Sequence, residues 1–165
     1  VDQESFEFVF NTELTEVYYA QRDLGKAYSR MAEAARNEEL KKVFEGQVQN
    51  TSLQISRIEK CMEMLGLKPD SRYEDVVSGF IDAADTIISE FGEGAVRYTA
   101  LIATAQKIEH YGIAAYGTLR TIATLLGRVQ CATLLEENKD EEAETNETLT
   151  RLSVSINQTA HESNA

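Results

Sequence analysis

Proline, glycine and cysteine are scarce in this 165-residue chain, which has one proline, nine glycines, two cysteines and no tryptophan. A β-sandwich needs turn-forming residues about every 8–12 positions, so this scarcity favours an all-helical chain. The two cysteines, Cys61 and Cys131, are too few for a disulfide framework. The length is that of one domain, and a hydrophobic fraction of 42% is enough to build a core.

Basic residues and long apolar runs are scarce as well. Lysine and arginine number 16 against 28 acidic residues, which gives a formal net charge of −12. An acidic surface repels phosphate backbones, so we expect no nucleic-acid partner. No apolar run approaches the ~18 residues that a membrane-spanning helix needs, and no signal peptide is recognisable, so we expect no membrane attachment.

Four long segments repeat apolar residues in steps of three and four, the spacing of amphipathic helices in a bundle. A shorter amphipathic segment lies between the second and the third. Short links at Asn37 and Gly127 make each pair of consecutive long helices antiparallel neighbours. We therefore predict an all-α, ferritin-like antiparallel four-helix bundle with a long crossover that contains a shorter fifth helix. The single domain covers residues 1–165, with helices at about 4–36, 38–65, 72–91, 95–126 and 129–161.

Each long helix turns polar near the middle of its apolar stripe. Mid-helix positions fall at similar depth in an antiparallel bundle, so these groups are predicted to meet in one buried layer. Two carboxylates lie on the stripes, Glu109 on the third long helix and Glu142 on the fourth. The other predicted members are amides and hydroxyls: Gln21, Gln47, Asn50, Thr51, Gln54, Asn138, Thr145 and Asn146.

This polar layer has two interpretations. Ferritin-like proteins use such a layer to hold two metal ions, with a Glu from two helices and a Glu-x-x-His pair from the other two. Iron and manganese centres of that kind prefer anionic oxygens and imidazole, and neutral amides are poor substitutes. His110 is one residue from Glu109, about 100° around the helix, and cannot face the same centre. We therefore favour a metal-free hydrogen-bond network and keep one weak ion at Glu109 and Glu142 as the alternative.

The segment ALIATAQKIEHYGIAAYGTLRTIATLLG, residues 100–127, resembles the YciF/YciE-like family of bacterial ferritin-like proteins, which are associated with stress responses. Three further segments support the resemblance: ELTEVYYAQRDL, ELKKVFEGQVQNTSLQISRIE and LLEENKDEEAETNETLTRLS. Together they extend it over about residues 5–155. The resemblance implies a ferritin-like bundle, a homodimer or higher homo-oligomer, a cytoplasmic location, and a metal centre without a firmly assigned reaction.

The chain departs from the family pattern at five polar positions. Gln21 stands where the family has glutamate, Gln47 where it has histidine, and Asn50 where it has glutamate. Gly112 replaces the second acid of the family's Glu-His-Tyr-Glu segment, and Asn146 replaces an aspartate. These changes predict a neutralised two-metal site.

Two functions follow from this comparison. The first is a non-enzymatic, stress-linked structural or interaction protein without a cofactor. The alternative is a metal-binding ferritin-like protein, such as a di-iron oxidase, a peroxide scavenger or an iron-storage unit, that uses iron or manganese.

Two further expectations concern the thiols and the surface. With a crossover in the bundle, Cys61 and Cys131 belong to the same end, so they could approach each other as free thiols in a reducing cytoplasm. Apolar residues outside the core stripes predict at least a homodimer, because large exposed apolar patches usually mark interfaces. On the first and connecting helices these are Phe6, Phe8, Val9, Tyr18, Tyr19, Val76, Val77, Phe80, Ile81, Ile87 and Ile88.

Overall fold

The ends of the helices follow local capping chemistry. In the computed structural model, which describes residues 5–163, the Ser5 hydroxyl accepts a hydrogen bond from the Phe8 N–H at 3.2 Å and starts α1. The Asn37 side chain accepts from the Leu40 N–H at 3.0 Å and starts α2. Gly66, with φ of 63°, ends α2 in the left-handed conformation that favours glycine. The helices are α1 (Phe6–Ala34), α2 (Glu38–Leu65), α3 (Ser78–Glu90), α4 (Ala95–Leu125) and α5 (Val129–Glu162).

The four long helices form a square bundle in which α1 contacts α2 and α4, while α5 contacts α2 and α4. Their apolar stripes bury two core clusters, one toward each end. Leu24, Phe44 and Leu101 belong to the first cluster, and Ile58 and Leu119 belong to the second. The chain goes from α2 to α4 by a long crossover that carries α3, so the predicted ferritin-like bundle is confirmed.

The crossover helix starts later than the sequence pattern predicted. Residues Ser71–Tyr73 form a short 3₁₀ turn, and α3 begins only at Ser78 rather than at about residue 72. The Asp70 carboxylate accepts from the Arg72 N–H at 3.1 Å and pairs with the Arg72 guanidinium at 2.5 Å. This local turn competes with α-helix formation, so α3 is about 20 Å long instead of 25–30 Å.

The short helix α3 packs against α1 and α4 and is part of the bundle's own core. Val77 and Ala84 are buried beneath it, and Arg30 of α1 pairs with Asp85 of α3 at 2.8 Å. Several residues that the sequence assigned to a subunit interface pack against the chain's own core, where Val77 is buried and four others are half-buried: Phe80, Ile81, Ile87 and Ile88. Within residues 5–163, none of the helices combines the length and the apolarity needed to cross a membrane.

Candidate functional site

A layer of buried polar side chains separates the two apolar clusters at the middle of the bundle. All four long helices contribute to it, because each carries polar residues at the centre of its buried stripe. Eight of the ten sequence-predicted residues are buried in this layer, and Gln54 and Thr145 are two of them. The other six are Gln21, Gln47, Thr51, Glu109, Asn138 and Glu142.

Two other predicted members, Asn50 and Asn146, lie at the edge of the layer and are half-buried. Asn50 lines an open groove between α2 and α5. Asn146 accepts a hydrogen bond from the Gln106 amide at 3.3 Å, near the α4–α5 surface. Asn50 precedes the layer residue Thr51, and Asn146 follows the layer residue Thr145. Because consecutive residues of an α-helix are rotated by about 100°, both side chains point away from the centre of the layer.

Glu142 is held by the side-chain amide of Gln54, a predicted member of the layer whose partner the sequence did not specify. The Gln54 amide nitrogen donates to Oε1 of Glu142 at 2.6 Å, and the Tyr116 hydroxyl donates to Oε1 of Gln54 at 2.9 Å. Gln54 therefore connects α4 to α5 through both ends of its amide group. The signal for it was present, because Gln54 continues the stripe that contains Gln47 and Thr51.

Glu109 is fully buried and accepts a hydrogen bond at one oxygen only. The Tyr28 hydroxyl of α1 donates to Oε1 of Glu109. Oε2 of Glu109 is buried and has no hydrogen-bond donor of its own. When Glu109 is protonated at this oxygen, it can donate to the neighbouring Glu142 carboxylate, whose charge helps to raise the pKa of Glu109.

Gly112 makes room for the Glu142 side chain. A Cβ atom built on Gly112 would lie 2.6 Å from Oε2 of Glu142 and 2.8 Å from its Cδ. Such distances are far below ordinary van der Waals contact, so any side chain at position 112 would displace the carboxyl group. This explains why a buried helix interior carries a glycine that costs ~1 kcal/mol in helix propensity relative to alanine.

Burial favours the protonated forms of both carboxyl groups. Desolvation raises the pKa of Glu142 from 4.5 to about 7, although hydrogen bonds with Gln54 and Glu109 act in the opposite direction. Desolvation and the charge of Glu142 raise the pKa of Glu109 well above its ordinary value, against the lowering effect of the Tyr28 hydrogen bond. The pair therefore retains a proton up to about neutral pH.

A guanidinium group closes the α2–α5 side of the layer. Arg57 donates to Oδ1 of Asn138 at 2.9 Å and pairs with Glu141 at 2.8 Å and with Glu137 at 3.0 Å. The Asn138 amide in turn donates to the backbone carbonyl of Gln54 at 3.4 Å. The charge of Arg57 is thus balanced by carboxylates outside the layer.

The donor set of the layer differs from that of a two-metal centre. Glu109 and Glu142 are its two buried carboxyl groups, and both form hydrogen bonds within the protein. Gln47 donates to the Thr145 hydroxyl, and His110 is exposed. Over residues 5–163, no three His, Cys, Asp or Glu side chains form a group that could hold a metal ion. These residues do not fit a two-metal cofactor.

The bundle topology and its buried polar layer define a ferritin-like helical protein. The chain belongs to the DUF892 family, a domain of unknown function, whose model matches residues 5–161. It is 37% identical over 155 residues to Protein YciF of Escherichia coli strain K12, covering 93% of both chains.

Two solved structures are similar to this fold. The structure of the E. coli stress protein YciF superposes with a TM-score of 0.89 at 37% identity, covering 94% of this chain and 98% of that one. YcfI from Rhodopseudomonas palustris superposes with a TM-score of 0.83 at 32% identity, covering 90% of this chain and 95% of that one. The sequence resemblance to the family is therefore confirmed.

Proposed function

We propose that this chain is a non-enzymatic ferritin-like structural or interaction protein whose two-metal site is neutralised. One observation carries the proposal: each of the two buried carboxyl groups accepts a hydrogen bond from a neutral donor of another helix. Tyr28 donates to Glu109, Gln54 donates to Glu142, and the charge of Glu142 raises the pKa of Glu109, so that the pair keeps a proton. A proton that stays on the Glu109–Glu142 pair neutralises negative charge that a metal ion would otherwise neutralise.

The neutral residues of the layer support the same conclusion. Unpaired buried carboxylates would repel one another and destabilise a metal-free bundle. Amides at Gln21, Gln47 and Gln54 keep the hydrogen bonding without adding charge. The space at Gly112 is taken up by Glu142 itself. We extend the stress-linked role and the cytoplasmic location to this chain from its resemblance to the family, which includes a relative named as a stress protein.

One observation favours the alternative, a weak ion held by the two carboxyl groups. Oε2 of Glu109 is buried without a hydrogen-bond donor, and a buried oxygen of this kind could accept a cation. Iron or manganese bound there would have two carboxylates and neutral oxygens as ligands. Affinity would be low, because the pair must first lose its proton.

Metal analysis separates the two functions. The chain is stripped with a chelator, dialysed against ferrous or manganous ion without oxygen, and analysed for metal per chain. We expect far less than one tightly bound ion per chain and an unchanged thermal midpoint, because burial raises the pKa of both carboxyl groups and a cation must displace their proton. Two ions per chain would overturn the neutralised site, and one ion would establish the weak-ion alternative.

Two matched variants assign any metal that is found. Glu142→Gln removes a buried carboxylate and keeps its shape, whereas Glu144→Gln removes an exposed one on the same helix. A chain with net charge −12 attracts cations over its whole surface. Metal lost only in Glu142→Gln belongs to the layer, while metal lost equally in both variants is surface binding.

We further propose that the chain assembles as a homodimer or higher homo-oligomer. Large apolar side chains remain exposed where α1 begins and where α4 turns into α5, including Leu125 at 69% and Val129 at 70% exposure. The Arg128–Glu7 ion pair at 2.6 Å brings these two regions to the same end of the bundle. A second copy that covers this end would remove the apolar residues from water.

Light scattering at tens of micromolar is expected to give at least twice the 18.4 kDa mass of one chain. Replacing Leu125 and Val129 together by glutamine should shift the protein toward a single chain. Val154→Gln is the control, because Val154 is 69% exposed near the end of α5 and away from the turn. A parent protein with the mass of one chain would contradict the assembly.

A further inference from the structure

The two cysteines of the chain meet in the apolar cluster near the α4–α5 turn. Cys61 of α2 is 0% exposed and Cys131 of α5 is 2% exposed, and both are free thiols. The Cys61 Sγ atom lies 4.0 Å from the backbone carbonyl oxygen of Cys131. The two residues are 70 positions apart in sequence, so the contact is made by the tertiary fold.

The surroundings of the pair favour uncharged sulfur. Packed in the same cluster are apolar side chains that include Ile58, Leu119 and Leu135. Burial is the main cause that raises the pKa of Cys61, and the neighbouring Cys131 raises it further. Two thiols and a disulfide are equally neutral, so this environment accepts either state but disfavours the thiolate.

We propose that Cys61 and Cys131 are a redox modification site at which a small hydroperoxide forms a reversible intrachain disulfide. The small size of the oxidant follows from the burial of both sulfurs. Hydrogen peroxide is comparable in size to water, whereas a peptide disulfide such as oxidised glutathione cannot reach sulfurs that are at most 2% exposed. This site lies in a different part of the bundle from the carboxyl pair and does not depend on the proposed function.

The reaction balances with one peroxide for each pair of thiols. One sulfur, as its thiolate, attacks a peroxide oxygen; the O–O bond breaks, and the leaving hydroxide takes up the released proton as water. The product is a sulfenic acid. The second sulfur then attacks the sulfenic sulfur, an S–S bond forms, the S–O bond breaks, and a second water leaves with the proton of the second thiol.

The high pKa of Cys61 sets the rate of this reaction. Only a small fraction of the thiol is ionised near neutral pH, so oxidation of the folded chain is slow. Below the pKa, the thiolate fraction and hence the rate rise about tenfold for each pH unit. The site responds to sustained peroxide exposure and not to brief exposure.

The disulfide would tie the end of α2 to the start of α5. The closed loop contains the crossover, α3 and α4. A cross-link across a loop of this length restricts the unfolded chain and raises the thermal midpoint by roughly 5–10 °C when the native geometry is retained.

The test uses the full chain, incubated with hydrogen peroxide at two pH values and compared with untreated protein. We expect both thiols to be lost together, with the intact mass reduced by two hydrogen atoms before any methionine oxidation is counted. Peptide mapping should join the Cys61 and Cys131 peptides, and a dithiol reductant should restore both thiols and the original thermal midpoint. The rate should be higher at the higher pH.

Cys131→Ala is the control that retains one buried thiol. In that variant, the loss of two hydrogens and the rise in thermal midpoint should both be absent. Two thiols that remain titratable in the denatured parent after peroxide treatment would overturn the proposal. Disulfides that join two chains, or sulfinic acid at a single cysteine, would overturn it equally. The parent measurements decide the question even if the variant folds poorly.

Discussion

Raising the pH from about 5 to about 9 is expected to lower the free energy of unfolding by about 3 kcal/mol through Glu142 alone. The pKa of Glu142 is 4.5 ordinarily and about 7 in the folded protein. Each pKa unit corresponds to about 1.4 kcal/mol, so the difference between the folded and unfolded states gives the stated magnitude. Glu142 is buried, so solvent screening does not reduce the effect.

The sign follows from proton uptake. Between pH 4.5 and about 7, the folded chain retains a proton on Glu142 that the unfolded chain has released. The stabilising contribution is complete below pH 4.5, decreases through this window, and is lost above pH 7. Glu109 acts in the same direction, because its pKa is also raised in the folded protein.

Urea unfolding followed by circular dichroism at several pH values measures this effect. Glu142→Gln should make the dependence on pH shallower and the chain more stable than the parent near pH 9, because no charge then develops at position 142 inside the bundle. Glu144→Gln changes an exposed acid on the same helix and should keep the slope of the parent. A Glu142→Gln chain with the parent's slope would show that Glu142 ionises freely in the folded state.

Gly112→Ala is expected to destabilise the chain by about 2 kcal/mol, although alanine is the better helix former by ~1 kcal/mol. The added Cβ would lie within 3.0 Å of three Glu142 atoms. Glu142 must then leave its place, and it loses the 2.6 Å hydrogen bond from Gln54. The free energy lost when the buried Glu142 carboxyl group is separated from the Gln54 amide is larger than the free energy gained from the better helix propensity of alanine.

Gly117→Ala is the matched control on the same helix. A Cβ at Gly117 would meet only the Lys139 Cδ atom at 4.0 Å, so this variant should be stabilised by up to about 1 kcal/mol. Thermal unfolding at neutral pH compares the two variants. Combining Gly112→Ala with Glu142→Ala should cost less than the sum of the single changes, because the clash is then absent. Equal stabilisation at both glycines would show that Glu142 does not need the space.

The sequence predicted correctly those features that are set within a single helix, namely its position along the chain and its buried face. The stripes with steps of three and four identified the four long helices, and the predicted bounds 38–65 of the second are those of α2. The same period put Gln47, Glu109 and Glu142 on buried faces. These features follow from the rotation of about 100° per residue, which is a property of the local chain.

The crossover shows the limit of that reasoning. Its amphipathic pattern predicted a helix from about residue 72, but the Asp70–Arg72 turn delays α3 to Ser78. The apolar residues of α3 pack on α1 and α4, although the sequence pattern assigned them to a second subunit. A pattern shows that a face is apolar, but it does not show which surface covers that face.

The sequence by itself determined the all-α fold, the two antiparallel hairpins and the helices that contribute polar groups to the middle of the bundle. Only the tertiary structure decided that Gln54 holds Glu142, that Gly112 gives it space, and that two cysteines 70 positions apart touch. The physical reason is that rotation and sliding between neighbouring helices are set by side-chain packing over the whole interface. Shifts of a few ångströms, which local periodicity does not specify, decide which side chains of different helices come within hydrogen-bond distance.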